Sequence, residues 1–187
     1  SIAKAMDLSA GEVETIAIAA LLHDIGKIGI PDVALLLEMD VMNAGAQNEY
    51  MQHPVRGQAA IDSVEDLRSA GILIRHHHEW HNGTGFPDKI SGERIPVGAR
   101  IIAVTDFIER EFRKLNADNA IQIVFDKIKK EFGKRFDPQI SPFIEAPVRE
   151  VYSKISLKTG TKMVEMELSV NDIKEGLLLS RDVKSGT

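Results

Sequence analysis

His23, Asp24 and Lys27 place an imidazole, a carboxylate and an ammonium within five residues, in the stretch His23-Asp24-Ile25-Gly26-Lys27-Ile28-Gly29. The carboxylate makes the strongest demand. Val13, Ile16, Ala17, Ala20 and Leu21 recur at the spacing of an apolar helix face, and Asp24 falls next on that stripe, which predicts a charge aimed inward. Burying an ionised carboxylate is costly unless a cation or strong donors compensate, and a metal ion is the economical candidate. Asp106 repeats the puzzle, as one acid in the otherwise apolar run from Val97 to Ile108. Such acids are paired either in a structural salt bridge or at a metal.

The histidines fall on later segments. His53 stands in His53-Pro54-Val55-Arg56-Gly57 and alone would read as helix-end decoration. The run His76-His77-His78 closes an apolar segment marked by Leu67, Ala70 and Ile74. Successive helical residues diverge by about 100°, so at most two of the three can face one ion. His76 and His81 read as non-ligands: His81 lies four residues after His77, but the glycine loop Asn82-Gly83-Thr84-Gly85-Phe86-Pro87 begins directly after it. His23, Asp24, His53, His77, His78 and Asp106 together supply much of a two-metal site with one bridging carboxylate. The chain has no cysteine, so histidine and carboxylate are its strong ligand types, and these serve iron, manganese and zinc alike.

Helices must carry these groups. Residues Ile2 to Met6 read as helical, and Ser9 with Glu12 forms the pattern of a capping box opening a helix that runs to about Asp24. Gly26 stands where a left-handed helix terminator is favoured, and Pro31 confirms the break. Asp32 to Gly45 reads as a short helix and loop. Further helices are expected over Asn48 to Ala60 with an interruption at His53-Pro54, from Ser63 or Asp66 to the histidine run, from Val97 onward, and over Ala120 to Phe132. A last short helix after Phe136-Asp137-Pro138 is expected to end near Ala146-Pro147. Met163 to Val170 then alternates as a strand, with Leu177-Leu178-Leu179 as a second. The fold class expected is mainly α: a helical domain over 1–147 and a small β appendage over 148–187.

The 187 residues suffice for one well-buried core plus such an appendage, and 43% hydrophobic with 27% charged residues is ordinary for a globular protein. No apolar run reaches membrane-spanning length and no signal peptide is visible, so a cytoplasmic location is expected. The formal net charge of -5 argues against a DNA or RNA polymer as partner, while a small anionic ligand needs only a local positive cluster.

These segments together resemble the HD superfamily of metal-dependent phosphohydrolases, and more narrowly its HD-GYP branch, which hydrolyses the bacterial second messenger cyclic di-GMP. The likeness rests on HDIGKIGIPD at 23–32, the His53 segment, HHEWHNGTGFP at 77–87, Gly92-Glu93-Arg94-Ile95-Pro96, the run Ala99 to Asp106 and Phe136-Asp137-Pro138. It covers roughly residues 2–145 and implies a helical bundle of HD type. It further implies two divalent metal ions, iron or manganese ahead of zinc, with His23, Asp24 and Asp106 at the first, His53, His77 and His78 at the second, and Asp24 bridging. Lys27 would meet the scissile phosphate, and Gly85, Phe86, Pro87, Arg100, Arg110 and Arg113 are carried over as substrate contacts. The implied reaction is attack by a metal-bridging hydroxide, giving linear pGpG and/or GMP, with catalysis resting on Asp24 and Lys27.

Three departures shape the alternative. Phe86 stands where the family has tyrosine, keeping the ring and losing a hydroxyl donor. The family's further ligand histidine upstream of the pair has no counterpart in the chain, and Arg110-Glu111-Phe112-Arg113-Lys114 follows Asp106 almost at once. The alternative is therefore a catalytically degenerate module that binds a nucleotide, or a signalling protein through the Gly85-Phe86-Pro87 loop. A phosphohydrolase acting on another nucleotide is a third reading.

Overall fold

The computed structural model describes residues 1–31, 39, 41–115 and 119–158, with side chains described as far as 152. The chain divides after Glu150, and of the second unit only the end of one helix is described. The described residues are helical, with no strand among them. The expected β elements at 163–170 and 177–179, and most of the segment after Pro31, lie outside the described residues.

Local chemistry sets the helix starts. After α1 (Ile2–Ala5), Ser9 opens α2 (Ala10–Leu22) through the expected capping box: Glu12 N–H donates to Ser9 Oγ at 3.3 Å, and Ser9 N–H donates to Glu12 Oε2 at 2.9 Å. Asn43 caps α3 (Ala44–Met51) by accepting from Ala46 N–H at 2.9 Å. Pro54 occupies the first turn of α4 (His53–Ile61), where its missing N–H costs no helical bond. A 3-10 turn over Glu65–Leu67 leads into α5 (Arg68–His76), so neither Ser63 nor Asp66 is its cap. Pro96 precedes α6 (Val97–Arg113), which is followed by α7 (Ala120–Lys129).

The last helix corrects the expected boundary. Instead of ending near Pro147, α8 begins at Glu145 and runs to Lys158, so residues 148–158 continue a helix. Pro147 lies in its first turn, a position proline tolerates, and there it signals a start. The segment before it, Pro138–Phe143, is a 3-10 helix capped by Asp137, whose carboxylate accepts from Gln139 N–H at 2.9 Å.

Ile16 and Ala19 of α2, Leu73 and Ile74 of α5, Ile101, Ile102, Val104 and Ile108 of α6, and Val124 and Ile128 of α7 bury the core. α2 packs on α5 and α6, α6 on α7, and α4 on α5. The buried line of α2 is therefore Ile16–Ala19, not the expected Ala17, Ala20 and Leu21. Leu21 is 85% exposed. Ala17 and Ala20 instead border an apolar cleft of about 270 Å³ shared with Ile2, Val13, Ile101 and Val148. Every α2 position from Ile16 to Leu22 is apolar, so composition alone does not choose its face.

Gly26 does not terminate a helix in the left-handed region. It sits in a 3-10 turn, Ile25–Lys27, and the positive φ of 91° falls at Gly29. Gly26 is required by close approach: a Cβ there would lie 2.0 Å from the His53 carbonyl oxygen and 2.5 Å from Gly57 N. The turn carrying Asp24 and Lys27 is thus pressed onto the start of α4, which carries His53. Gly26→Ala is expected to lose about 3 kcal/mol or more in a chemical denaturation series, because backbone and not a flexible side chain must yield. A midpoint matching the unaltered chain would show that the two backbones can part.

Candidate metal centre

Three of the histidines are set by one device. His23 follows α2, His77 follows α5, and His53 follows α3 after one intervening residue. In each, ring Nδ1 meets the carbonyl three residues back: Ala20 at 2.8 Å, Tyr50 at 2.6 Å and Ile74 at 2.6 Å. Those carbonyls belong to last helical turns, which lack intrahelical donors. Nδ1–H supplies the donor, which fixes the tautomer and leaves the Nε2 lone pair aimed forward.

The forward atoms converge. Asp24, His53, His77 and His78 each offer one ligand atom, all within 4.8 Å of one another. His53 Nε2 lies 3.4 Å from His77 Nε2 and 3.5 Å from Asp24 Oδ1. With Nδ1 protonated on both rings, the short His53–His77 approach sets two lone pairs against each other beside a carboxylate oxygen. A cation relieves that repulsion. His78 Nε2 is buried and has no hydrogen-bond partner, so the donor set fits a metal ion. The convergence of three helix C-termini favours positive charge at the same point.

Electrostatics prepares the ligands. Burial, reinforced by the His77 ring, pushes His53 down to about 3. Burial likewise pushes His77 down to about 4, although its bond to Ile74 opposes this. His78, enclosed by protein and beside His77 and His53, is held well below the usual histidine range. All three are neutral at pH 7, as metal ligation requires. Burial alone would raise the Asp24 pKa, but Lys27 and His23 outweigh it and hold the carboxyl below its usual range.

Asp24 faces two ways. Oδ1 looks toward His53, while Oδ2 lies 3.4 Å from His23 Nε2 and 2.7 Å from Lys27 Nζ. His23 Nε2 is in turn 3.9 Å from Asp106 Oδ1. The six expected ligands therefore form two groups meeting at Asp24, with His23 and Asp106 on one side and the three buried histidines on the other.

The profile of the HD domain family matches residues 1–140. The chain belongs to the HD domain family. It is 32% identical over 146 residues to the cyclic di-GMP phosphodiesterase response regulator RpfG of Xanthomonas campestris, covering 74% of this chain and 37% of that protein. It is 26% identical over 144 residues to 3'3'-cGAMP-specific phosphodiesterase 2 of Vibrio cholerae, covering 71% of this chain and 26% of the relative. Among solved structures, the HDG"Y"P protein Bd1817 of Bdellovibrio bacteriovorus superposes with a TM-score of 0.66 at 17% identity, covering 80% of this chain and 48% of that one. The chain thus spans well under half the length of the curated relatives it matches. HD domains are metal-dependent, in keeping with the cluster just described.

The remaining expected residues of this HD domain are placed unevenly. Phe86 stacks on His78 with ring centroids 4.8 Å apart, so the ring of the tyrosine-to-phenylalanine departure walls the cluster. Gly85 fits where a Cβ would come 2.3 Å from Trp80 N, and Pro87 follows through a cis bond. Arg110 pairs with Asp106 at 3.3 Å, at the edge of the cluster. Arg100 is engaged by Asp137, and Arg113, 75% exposed, by Glu109 on its own helix. His76 and His81 stay outside the cluster, as expected for non-ligands.

The residue that composition does not announce is Tyr50. Its ring lies 4.9 Å from His53, 5.9 Å from His78 and 6.4 Å from Phe86, and Lys27 Nζ stands 5.1 Å from its centroid. The one local signal was its place three residues before His53, the spacing that His23 and His77 also use. Among the described residues no helix is long and apolar enough to cross a membrane.

Proposed function

We propose that this HD domain is a metal-dependent phosphodiesterase that opens cyclic di-GMP to linear pGpG and/or GMP. The observation that carries the reading is the convergence of Asp24, His53, His77 and His78, with His78 Nε2 buried and unpartnered. Two divalent ions, iron or manganese ahead of zinc, would be held by His23, Asp24 and Asp106 on one side and by Asp24, His53, His77 and His78 on the other. When bound, such ions polarise a phosphoryl oxygen and supply a nucleophile at neutral pH.

The chain's own groups supply the rest. Lys27 pairs with Asp24 and rests against the Tyr50 ring, so its ammonium is fixed beside the cluster, where it neutralises charge developing on the phosphoryl oxygens. Arg110 adds a second cation next to Asp106. Tyr50 and Phe86 present aromatic surface flanking the histidines, suited to a planar purine. Gly85, Phe86 and Pro87 remain the loop for substrate or a signalling partner. Arg100 and Arg113, engaged by Asp137 and Glu109, are the weaker substrate contacts.

The test is chromatography of cyclic di-GMP incubated with Mn²⁺- or Fe²⁺-loaded protein, with 3'3'-cGAMP alongside because relatives carry both names. Linear dinucleotide or GMP is expected from cyclic di-GMP. Binding of cyclic di-GMP without product from a metal-loaded chain would replace this reading with the degenerate module.

A further inference from the structure

Consecutive residues from Arg75 to Glu79 divide their side chains between two tasks. His77 and His78 turn into the cluster, whereas Arg75, His76 and Glu79 all reach Asp88, the residue that follows the glycine loop. Arg75 grips the Asp88 carboxylate with two parallel bonds, Nε to Oδ2 at 2.6 Å and Nη2 to Oδ1 at 2.7 Å. His76 Nε2 stands 3.0 Å from the same Oδ2. Glu79, only 2% exposed, takes the Asp88 backbone N–H on Oε1 at 2.6 Å. Asp88 is thus held by side chain and main chain at once, from the helix end that carries two of the ligands.

The loop between has one further direct tie to that helix end, from Phe86 N–H to the His78 carbonyl at 3.2 Å. We propose that Asp88 is a positioning residue: clasped by Arg75, His76 and Glu79, it presses Phe86 onto His78 and so holds that imidazole in place. The proposal rests on reading the cluster as a metal centre. A single half-exposed ion pair would not suffice, since such pairs contribute little. A bidentate arginine grip combined with a buried carboxylate on the adjacent N–H fixes direction as well as distance. His78 is the cluster histidine with no hydrogen bond to orient it, so stacking by Phe86 is what replaces the carbonyl bond that His53 and His77 have. His76, the first histidine of the run, gains a task outside the ligand set.

The test uses the Mn²⁺-loaded chain, reading amide hydrogen exchange by mass spectrometry and Mn²⁺ release into excess chelator. In Asp88→Ala and in Arg75→Gln, exchange over residues 83–88 is expected to quicken about tenfold or more while α6 and α7 keep their protection. Mn²⁺ release is expected to quicken about 10- to 100-fold, the range for lost outer-shell support of a metal ligand. Asp88→Asn, which keeps one side-chain oxygen to accept from Arg75 and loses the charge, should fall between. Loop exchange and Mn²⁺ release equal to those of the unaltered chain in both variants would overturn the proposal. So would exchange quickened equally through α6 and α7, which marks a general loss of stability. Neither readout involves a cyclic dinucleotide. A chain that shows the expected differences and hydrolyses nothing supports this inference while refuting the proposed function; an unaltered chain that binds no Mn²⁺ defeats both.

Discussion

Alanine at Asp24 is expected to leave the protein with less than about a tenth of its normal metal and to cut cyclic di-GMP turnover by about a thousandfold or more. Asp24 is the single carboxylate in the tight four-residue cluster, and its two oxygens face different neighbours, His53 on one side and His23 with Lys27 on the other. Its removal takes away the one anionic ligand of that cluster and leaves the Lys27 ammonium beside three neutral histidines, a field that repels a divalent ion. Stability should follow the metal. An ion present at a thousand times its dissociation constant stabilises the native state by about 4 kcal/mol, and the variant forfeits that increment. Elemental analysis and melting curves with and without Mn²⁺ check both parts. Normal metal content in Asp24→Ala would remove Asp24 from the ligand set. A melting temperature raised equally by Mn²⁺ in variant and parent would do the same.

Acid should destabilise the metal-free protein steeply between pH 6.5 and 4. His77 titrates near 6.5 in the unfolded chain and about 4 in the folded one, and His53 falls to about 3. In that window the unfolded chain binds more protons, so stability rises with pH; above 6.5 these two groups contribute no slope, and below about 3 their effect is complete. Each pKa unit corresponds to about 1.4 kcal/mol, so at pH 5 the two together cost about 4 kcal/mol. For a chain of this size that lowers the melting temperature by about 10 °C relative to pH 7. Chelator-treated protein melted across that range provides the measurement, and a double His53→Gln, His77→Gln variant should have a flatter profile. A melting temperature independent of pH from 7 to 5 would mean that water or a proton reaches these rings in the folded state.

The parts of this picture legible in sequence were those with local causes. The Ser9–Glu12 capping box is a four-residue device and appears as expected. His23, His53, His77, His78 and Asp106 stood out because polar groups at apolar positions need partners, whereas Asp24 was singled out from a stripe that is not the buried one; its carboxylate, 42% exposed, nonetheless meets the same histidines. The buried face of α2 did not stand out, because alanine, leucine and isoleucine occupy every side of its second half, Ile16 to Leu22. Gly26 was misassigned for a different reason: a helix terminator and a point of contact between two backbones both require glycine, and only the path of α4 tells them apart. Pro147 has the same ambiguity, since proline stops one helix and starts another. Asp88 acts across a turn of chain that spacing does not reveal, and Tyr50 is signalled only by its place three residues before His53.

The bond from each ring Nδ1 to a carbonyl three residues back has a consequence for how such a site can be inherited. The aim of His23, His53 and His77 is written in helix ends and not in neighbouring side chains, so substitutions around them can accumulate without turning the rings. What cannot drift is where α2, α3 and α5 stop. A single residue inserted within the last turn of any of them would swing its imidazole by about 100° and take one ligand out of the set. Helix length therefore serves as the ruler of the centre, and natural variation in this chain should be plentiful on the helix faces and sparse in the number of residues before each histidine.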